Sequence, residues 1–291
     1  MKKITINDFS YLQQLKQIKN PPNQLYYKGN IELLNSPGIA IIGSRGCTKY
    51  GEKMAKKFAK ELSMYGLVII SGMANGIDSY AHLGALDGSK KTIAVLPSGL
   101  NNIYPKENTK LYEEILNNNG LIISEYSENE EAKYENFLQR NRIVSGLSIG
   151  TLVVEGGHRS GTSITARLTR EQGKNVFCVP SNLDSKMSIT PNRLIKDGAY
   201  LVTCVEDIVK QYPELNLNRI KVKEKTKKVD KEYEQVYEII EKNESIHINK
   251  IVKITGLTVS EVSYKLMMLE LEDKIISLPG SVYEIKWKRK N

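Results

Sequence analysis

Between residues 38 and 210 the chain repeats one pattern: a short, uninterrupted apolar run, then a segment with helical spacing. The runs are IAIIG (39–43), LVIIS (67–71), TIAVL (92–96), LIIS (121–124), TLVVE (151–155), NVFCV (175–179) and AYLVT (199–203). A strand with one wet face alternates apolar and polar residues. These runs do not alternate, so both faces of each strand must be covered. Helices are expected between them, near 50–65, 77–87, 107–118, 136–148, 163–173, 189–197 and 205–211. Repeated βα units of this kind fold as a Rossmann-like, doubly wound, mostly parallel α/β sheet. The cluster Ile208, Val209, Tyr212 and Leu215 fits either helix-to-sheet packing or pairing with a second copy.

The flanks differ in character. Residues 1–37, which include PPNQLYYKGN, are too few for a domain and are expected to pack on the sheet edge. The α/β domain is placed at 38–213 and a linker at 214–231, where RIKVKEKTKKVDK sets seven Lys/Arg against two acids and reads as a solvated connection. Residues 232–288 then give a helix (EYEQVYEIIEKN), a shorter helix closed by Gly256, and a third helix (SEVSYKLMMLELED) with Thr258 and Ser260 as cap candidates. A hairpin around Pro279-Gly280 follows. That order is a small winged helix-turn-helix. Outward positions of the third helix include Glu261, Lys265, Glu270 and Glu272. This is acidic for a helix that reads a major groove, so protein contact or dimer support is the expectation ahead of duplex binding.

Bulk properties narrow the class. A chain of 291 residues accommodates one large domain and one small one. Its three cysteines, Cys47, Cys178 and Cys204, are odd in number and lack metal-ligand spacing. A disulfide framework or zinc site is therefore not expected, and a reducing cytoplasm suits the chain. The N-terminus MKKITINDFS has no apolar signal core, and no run is long enough to span a bilayer, so no membrane partner is expected. A net charge of +9 permits a polyanionic partner without demanding one.

Ligands of open α/β sheets bind beyond the carboxyl ends of the strands. Four such ends are rich in small residues: Gly43-Ser44-Arg45-Gly46, Ser71 to Asp78, Pro97 to Leu100, and Gly156 to Ser163. Exposed backbone N–H groups there make a natural anion site, and Arg45 beside them suits a phosphate oxygen. No GxGxxG with a downstream acid and no GxxxxGK[ST] occurs, so neither a dinucleotide nor a P-loop site is supported. In FLQRNR (137–142), Phe137, Arg140 and Asn141 share a helix face. An aromatic, arginines and an amide can stack a base and hold its backbone. A core Phe with arginines in internal ion pairs explains the same residues equally well. Lys174 and Lys196 would extend such a track.

Catalytic readings are poor. His82 follows Asp78 by one helical turn, which is more often packing than acid–base chemistry. His158 and His247 complete no triad, Ser44 lacks the GxSxG elbow, Cys47 has no activating partner, and Glu155 has no second carboxylate near it in sequence. No metal or cofactor is expected.

The segments IAIIGSRGCTKYG, SGMANGIDSYAHLGAL, TIAVLPSGLNNIYPKEN, ISEY, FLQRNRIVSGLS, LVVEGGHRSGTSITARL and NRLIKDGAYLV, in this order and spacing, resemble the bacterial DNA-processing protein A (DprA/Smf) family. The resemblance covers about 26–210, plus a winged-helix tail that many members carry. It implies a non-enzymatic single-stranded DNA-binding protein that protects incoming strands in natural transformation, forms homodimers and loads the RecA recombinase. It would place Gly43, Ser44, Arg45 and Gly46 in a phosphate-gripping loop. Phe137, Arg140, Asn141 and Arg142 would line the DNA path, with Ser160, Gly161 and Thr162 beside it. The chain departs from the family pattern at Ser181, where a glycine is usual after Val-Pro, in the glycine-poor stretch SNLDSKMSITPN, and at Ser163, where leucine is usual.

Two alternatives remain. GGHRSGT loosely resembles the glycine-rich loop of lysine-decarboxylase-like nucleotide phosphoribohydrolases, but those need a glutamate soon after the Gly-Thr, and Glu171 lies too far along. A transcription regulator acting through the C-terminal unit would need a less acidic third helix.

Overall fold

The computed structural model describes residues 2–5, 15–158, 160–219, 230, 232–243, 245–272 and 274–285. The chain forms two compact units, residues 1–222 and 223–291. Most of the linker expected at 214–231, and Arg159 of the fourth strand-end loop, lie outside the described residues.

The first unit is built from β1 (Lys2–Thr5), β2 (Gln24–Gly29), β3 (Gly38–Ile42), α1 (Lys49–Met64), β4 (Val68–Ser71), α2 (Ile77–Asp87), β5 (Thr92–Leu96) and α3 (Thr109–Asn117). It continues through β6 (Leu121–Ser124), α4 (Tyr134–Gly146), β7 (Gly150–Val153), α5 (Gly161–Glu171), β8 (Asn175–Cys178), α6 (Ile189–Lys196), β9 (Tyr200–Leu201) and α7 (Glu206–Val209). One nine-stranded sheet has the order β1-β2-β6-β5-β4-β3-β7-β8-β9. The strands from β6 to β9 in that order are mutually parallel. Each lies at an apolar run of the sequence, although the last shrinks to a two-residue edge. β2 pairs antiparallel with β6, and β1 with β2, so the N-terminal segment adds strands to the sheet. Its residues QLYYKG are only partly buried and carry no apolar run.

β3 shows why the runs do not alternate. All five of its residues are buried. Ile39 and Ile41 join a core with Phe58 and Leu62 of α1 and Ala81 of α2. Ala40 and Ile42 point the other way, to a core with Ile143 and Val144 of α4 and Ala166 of α5. Each large side chain buried this way contributes about 1.5–3 kcal/mol. Ile208 and Tyr212 are buried in the first of these cores, with Val209 and Leu215 packed against it. The Tyr212 hydroxyl donates to the Ile149 carbonyl (3.1 Å). This cluster is helix-to-sheet packing.

The second unit comprises α8 (Glu234–Lys242), β10 (Ser245–His247), α9 (Ile248–Thr255), α10 (Val259–Leu271), β11 (Ile275–Leu278) and β12 (Val282–Ile285). α9 closes on Gly256 at φ +71°, a left-handed position glycine adopts without penalty. Thr258 and Glu261 cap α10 reciprocally. Val236, Ile240, Ile251, Val262, Leu266 and Leu269 fill its core. The sheet order is β10-β12-β11, the winged helix-turn-helix arrangement. The three-residue β10 is too short to be read from sequence.

Candidate nucleic-acid interface

β3 and β7 are neighbours from which the chain leaves in opposite directions, β3 toward β4 and β7 toward β8. Loops that diverge beyond two such carboxyl ends leave a crevice between them. The β3 loop is held tightly. The Ser44 N–H donates to the Glu155 carbonyl (2.9 Å) and the Ser44 carbonyl accepts from the Ile77 N–H (3.2 Å). Gly76, at φ +80°, presses on the Ser44 and Arg45 carbonyls so closely that a Cβ there would collide with both. Beneath the loop the buried Glu155 carboxylate accepts from the Thr48 N–H (2.8 Å) and hydroxyl (2.6 Å), anchoring the start of α1.

The crevice is a cleft of about 670 Å³. It gathers Gly43, Ser44 and Arg45 from the β3 loop, Phe137, Arg140 and Asn141 from α4, and Ser160, Gly161 and Thr162 at the start of α5. Gly46 sits at the loop tip, its N–H on the Ser44 hydroxyl (3.2 Å). Arg45 is exposed and has no ion pair among the described residues. Its guanidinium lies 4.8 Å over the Phe137 ring, and Tyr104 meets the same ring edge-on at 5.3 Å. No side chain caps the first turn of α5; the Ser163 N–H donates to the Ser160 carbonyl (3.1 Å), and the positive end of the helix dipole faces the cleft. The Ser160 hydroxyl is buried with no partner among the described residues.

The arginines of α4 divide by helix face. Arg140 lines the cleft yet is only 4% exposed. Its Nη1 donates to the Gly72 carbonyl (2.5 Å) and the Val95 carbonyl (2.6 Å), tying the ends of β4 and β5 together. Asp78 lies beside it, accepting from the Gly72 N–H (3.1 Å). Burial pushes the Asp78 carboxyl up and Arg140 pulls it back. Burial likewise lowers Arg140 against the pull of Asp78. The guanidinium is thus committed to internal backbone carbonyls, and Asp78 acts on it through charge without forming a direct ion pair.

Arg142, two residues on, faces away from the cleft, since two residues turn a helix by about 200°. Its Nη2 donates to the Glu125 carboxylate (2.5 Å). Arg142, expected on the same path, is not among the residues that line this cleft. Lys174, expected to extend the track, is not among them either. It precedes β8, at the amino end of the parallel strands, while the cleft lies beyond their carboxyl ends. Its Nζ donates to the Ser145 and Gly146 carbonyls (2.9 and 2.7 Å) at the end of α4, and burial lowers it to about 8. Lys196, in the last turn of α6, is also outside the cleft lining.

Two aromatic residues escaped the sequence reading. Tyr104 follows β5, in a loop read for its small residues and as part of a family segment but not for its ring. Tyr134 stands three residues before Phe137, a spacing that puts both on one face of α4.

His82 is fully buried, with Nδ1 2.7 Å from the Thr92 hydroxyl, and serves packing. Burial holds it down to about 3 against an ordinary 6.5. The unfolded chain takes up this proton first, so His82's contribution is complete above about pH 6.5 and is lost toward pH 3. Unfolding free energy should fall by up to about 1.4 kcal/mol per pH unit across that window. Asp78, raised, slopes the other way, so denaturant titrations of wild type and His82→Gln at pH 7, 5 and 4 isolate the histidine. An equal slope in both proteins would refute this assignment.

On α10 the acidic residues are partly engaged. Glu261 belongs to the cap, and Glu270 accepts from the Ser277 N–H and hydroxyl (3.2 and 2.7 Å). Tyr264, Met267 and Leu271 are exposed on the same helix.

Protein Smf of Escherichia coli K12 is 34% identical over 282 residues, covering 95% of this chain and 75% of that protein. The X-ray structure of DNA processing protein A from Streptococcus pneumoniae superposes with a TM-score of 0.68 at 40% identity, covering 72% of this chain and 74% of that one. DNA processing protein A from Helicobacter pylori, solved for its unique single-stranded DNA binding mode, gives 0.65 at 32% identity over 74% of this chain and 97% of that one. Residues 223–281 match the DprA winged helix domain. With residues 2–213 matching its main domain, the chain belongs to the DNA recombination-mediator protein A family.

Proposed function

We propose that the protein is a non-enzymatic single-stranded DNA-binding recombination mediator and that the strand passes through this cleft. The observation that carries the reading is Arg45, exposed and without an ion pair among the described residues. It stands between the uncapped start of α5 and an aromatic wall, at the point where the strand order reverses. Arg45 and neighbouring backbone N–H groups take a phosphate, and the aromatic wall takes the bases. In the cell the protein protects incoming single strands and loads RecA recombinase onto them during natural transformation, acting in the cytoplasm as a homodimer. The net charge of +9 favours the polyanion. The exposed Tyr200 and Leu201 on edge strand β9 offer a surface for a second copy. Among the described residues no helix is long and apolar enough to cross a membrane. The winged-helix unit serves protein contact, in keeping with the exposed Tyr264, Met267 and Leu271 on α10.

Binding without catalysis is favoured by where the titratable groups are used. Glu155 anchors α1, and His82 is packed away. Glu171 sits at the far end of α5 against Arg167 (3.4 Å), about 15 Å of helix from Gly161. The test is fluorescence anisotropy with a labelled dT oligonucleotide of about 20–30 nucleotides and a duplex of equal length as competitor. Tight, salt-dependent binding that the duplex displaces poorly is expected. Equal competition by the duplex would overturn the reading, and release of ribose phosphate from nucleoside monophosphates would favour the phosphoribohydrolase alternative.

A further inference from the structure

The aromatic residues of the cleft are not equally available. The Phe137 ring is covered by the Arg45 guanidinium at 4.8 Å and touched by Tyr104 at 5.3 Å. Tyr134 lines the same cleft, is 79% exposed, and has no ring or cation partner among the described residues. As the first residue of α4 it stands three positions before Phe137 and four before the half-exposed Leu138. Side chains at those spacings are neighbours on one helix face, with Cβ atoms about 5–6 Å apart. An isolated tyrosine exposed to water gains nothing from burial and contributes little to the fold. At the rim of a cleft whose exposed cation lies over Phe137, it presents an open π-face to whatever enters.

We propose that Tyr134 is a base-stacking position of its own, taking a nucleobase of the single strand next to the nucleotide held at Arg45 and Phe137. This rests on the single-strand reading of the cleft. Two aromatic residues one helical turn apart form successive rungs, so adjacent bases unstacked from each other can each find a ring. Such stacking tolerates any base, because every base has a π-face. Tyr134 is open before the ligand arrives, whereas Phe137 is stacked only once Arg45 leaves its ring for a phosphate. The first base contact therefore falls to Tyr134.

The experiment compares wild type, Tyr134→Ala, Tyr134→Phe and Tyr134→Trp with a labelled dT oligonucleotide across a salt series. Tyr134→Ala should weaken binding about tenfold, the scale of one stacked base. Its salt slope should not change, because no charge is lost, and its melting temperature should match wild type. Tyr134→Phe should bind as wild type, since stacking needs the ring and not the hydroxyl. Wild type has a single tryptophan, Trp287, so the emission added in Tyr134→Trp reports on this position and should be quenched by the oligonucleotide. Wild-type affinity in Tyr134→Ala, or unquenched added emission in Tyr134→Trp, would overturn the stacking role while leaving the single-strand reading intact. Failure of wild type itself to bind would overturn both.

Discussion

Arg45→Ala should bind a dT oligonucleotide about 10- to 100-fold more weakly than wild type at low salt, with a melting temperature unchanged. The size follows from one hydrogen-bonded charge contact, about 1.5–3 kcal/mol. The unchanged stability follows from the structure. Arg45 is exposed and has no ion pair among the described residues, and its contact with Phe137 is of the exposed cation–π kind, about 0.5–1 kcal/mol. The salt dependence is the sharper readout. Each phosphate neutralised on a single strand contributes about −0.7 to the slope of log K against log salt, so the variant should be shallower by about that amount. Arg45→Lys should keep the slope and recover only part of the affinity, because an ammonium offers a point charge where the guanidinium offers a fork. An Arg45→Ala protein with the affinity and slope of wild type would remove the β3 loop from the phosphate path. The position of the loop makes that result unexpected. Gly43 packs against Ile77 and the Glu155 carbonyl with no space for a side chain, and Gly76 closes from the other side. The backbone that carries the guanidinium is therefore already in place before the ligand binds.

Much of the fold was legible because the parallel strands are covered on both faces. Burial alone then decides their composition, and β3 to β8 stand out as apolar runs. β1 and β2 lie at the sheet edge with mixed exposure, and their residues obey no such constraint. The site was legible to the extent that it depends on the backbone. Strand-end loops are fixed by topology, so Ser44 and Arg45 could be placed at the crevice beyond the strand ends from the order of elements. Side-chain allegiance was not legible. Arg140 and Arg142 look alike in the string RNR, yet one is driven under the sheet by Gly72, where any Cβ would strike its guanidinium. The other turns to Glu125 on the opposite helix face. Lys174 lies outside the cleft for a related reason. A positive charge in sequence says nothing about which end of the strands it occupies. Tyr134 carries a signal, its spacing from Phe137, that becomes informative only once its ring is known to be free.

Arg140→Leu should be the most destabilising single change in this region, costing about 3–5 kcal/mol, the scale for removing one partner of a buried charge pair. Three groups lose their counterpart at once. The Asp78 carboxylate, already pushed up by burial, loses the cation that opposes this shift. The Gly72 and Val95 carbonyls lose the donor that ties β4 to β5. Adding Asp78→Asn should recover part of the loss, because a neutral amide is far less costly to leave unpaired in the interior than a carboxylate. The double-mutant cycle in urea should therefore show a coupling of at least about 1 kcal/mol between the two positions. Gly72→Ala probes the same strap from the other side, since its Cβ would collide with the Arg140 guanidinium, and it too should destabilise. The outcome bears on function as well as stability. If Arg140→Leu kept wild-type stability and lost only oligonucleotide affinity, Arg140 would be a phosphate ligand and the strap assignment would fall. If instead it unfolds at lower urea and Asp78→Asn partly rescues it, the exposed cation of the cleft is Arg45, and the buried arginine holds in place the strand ends that position the site.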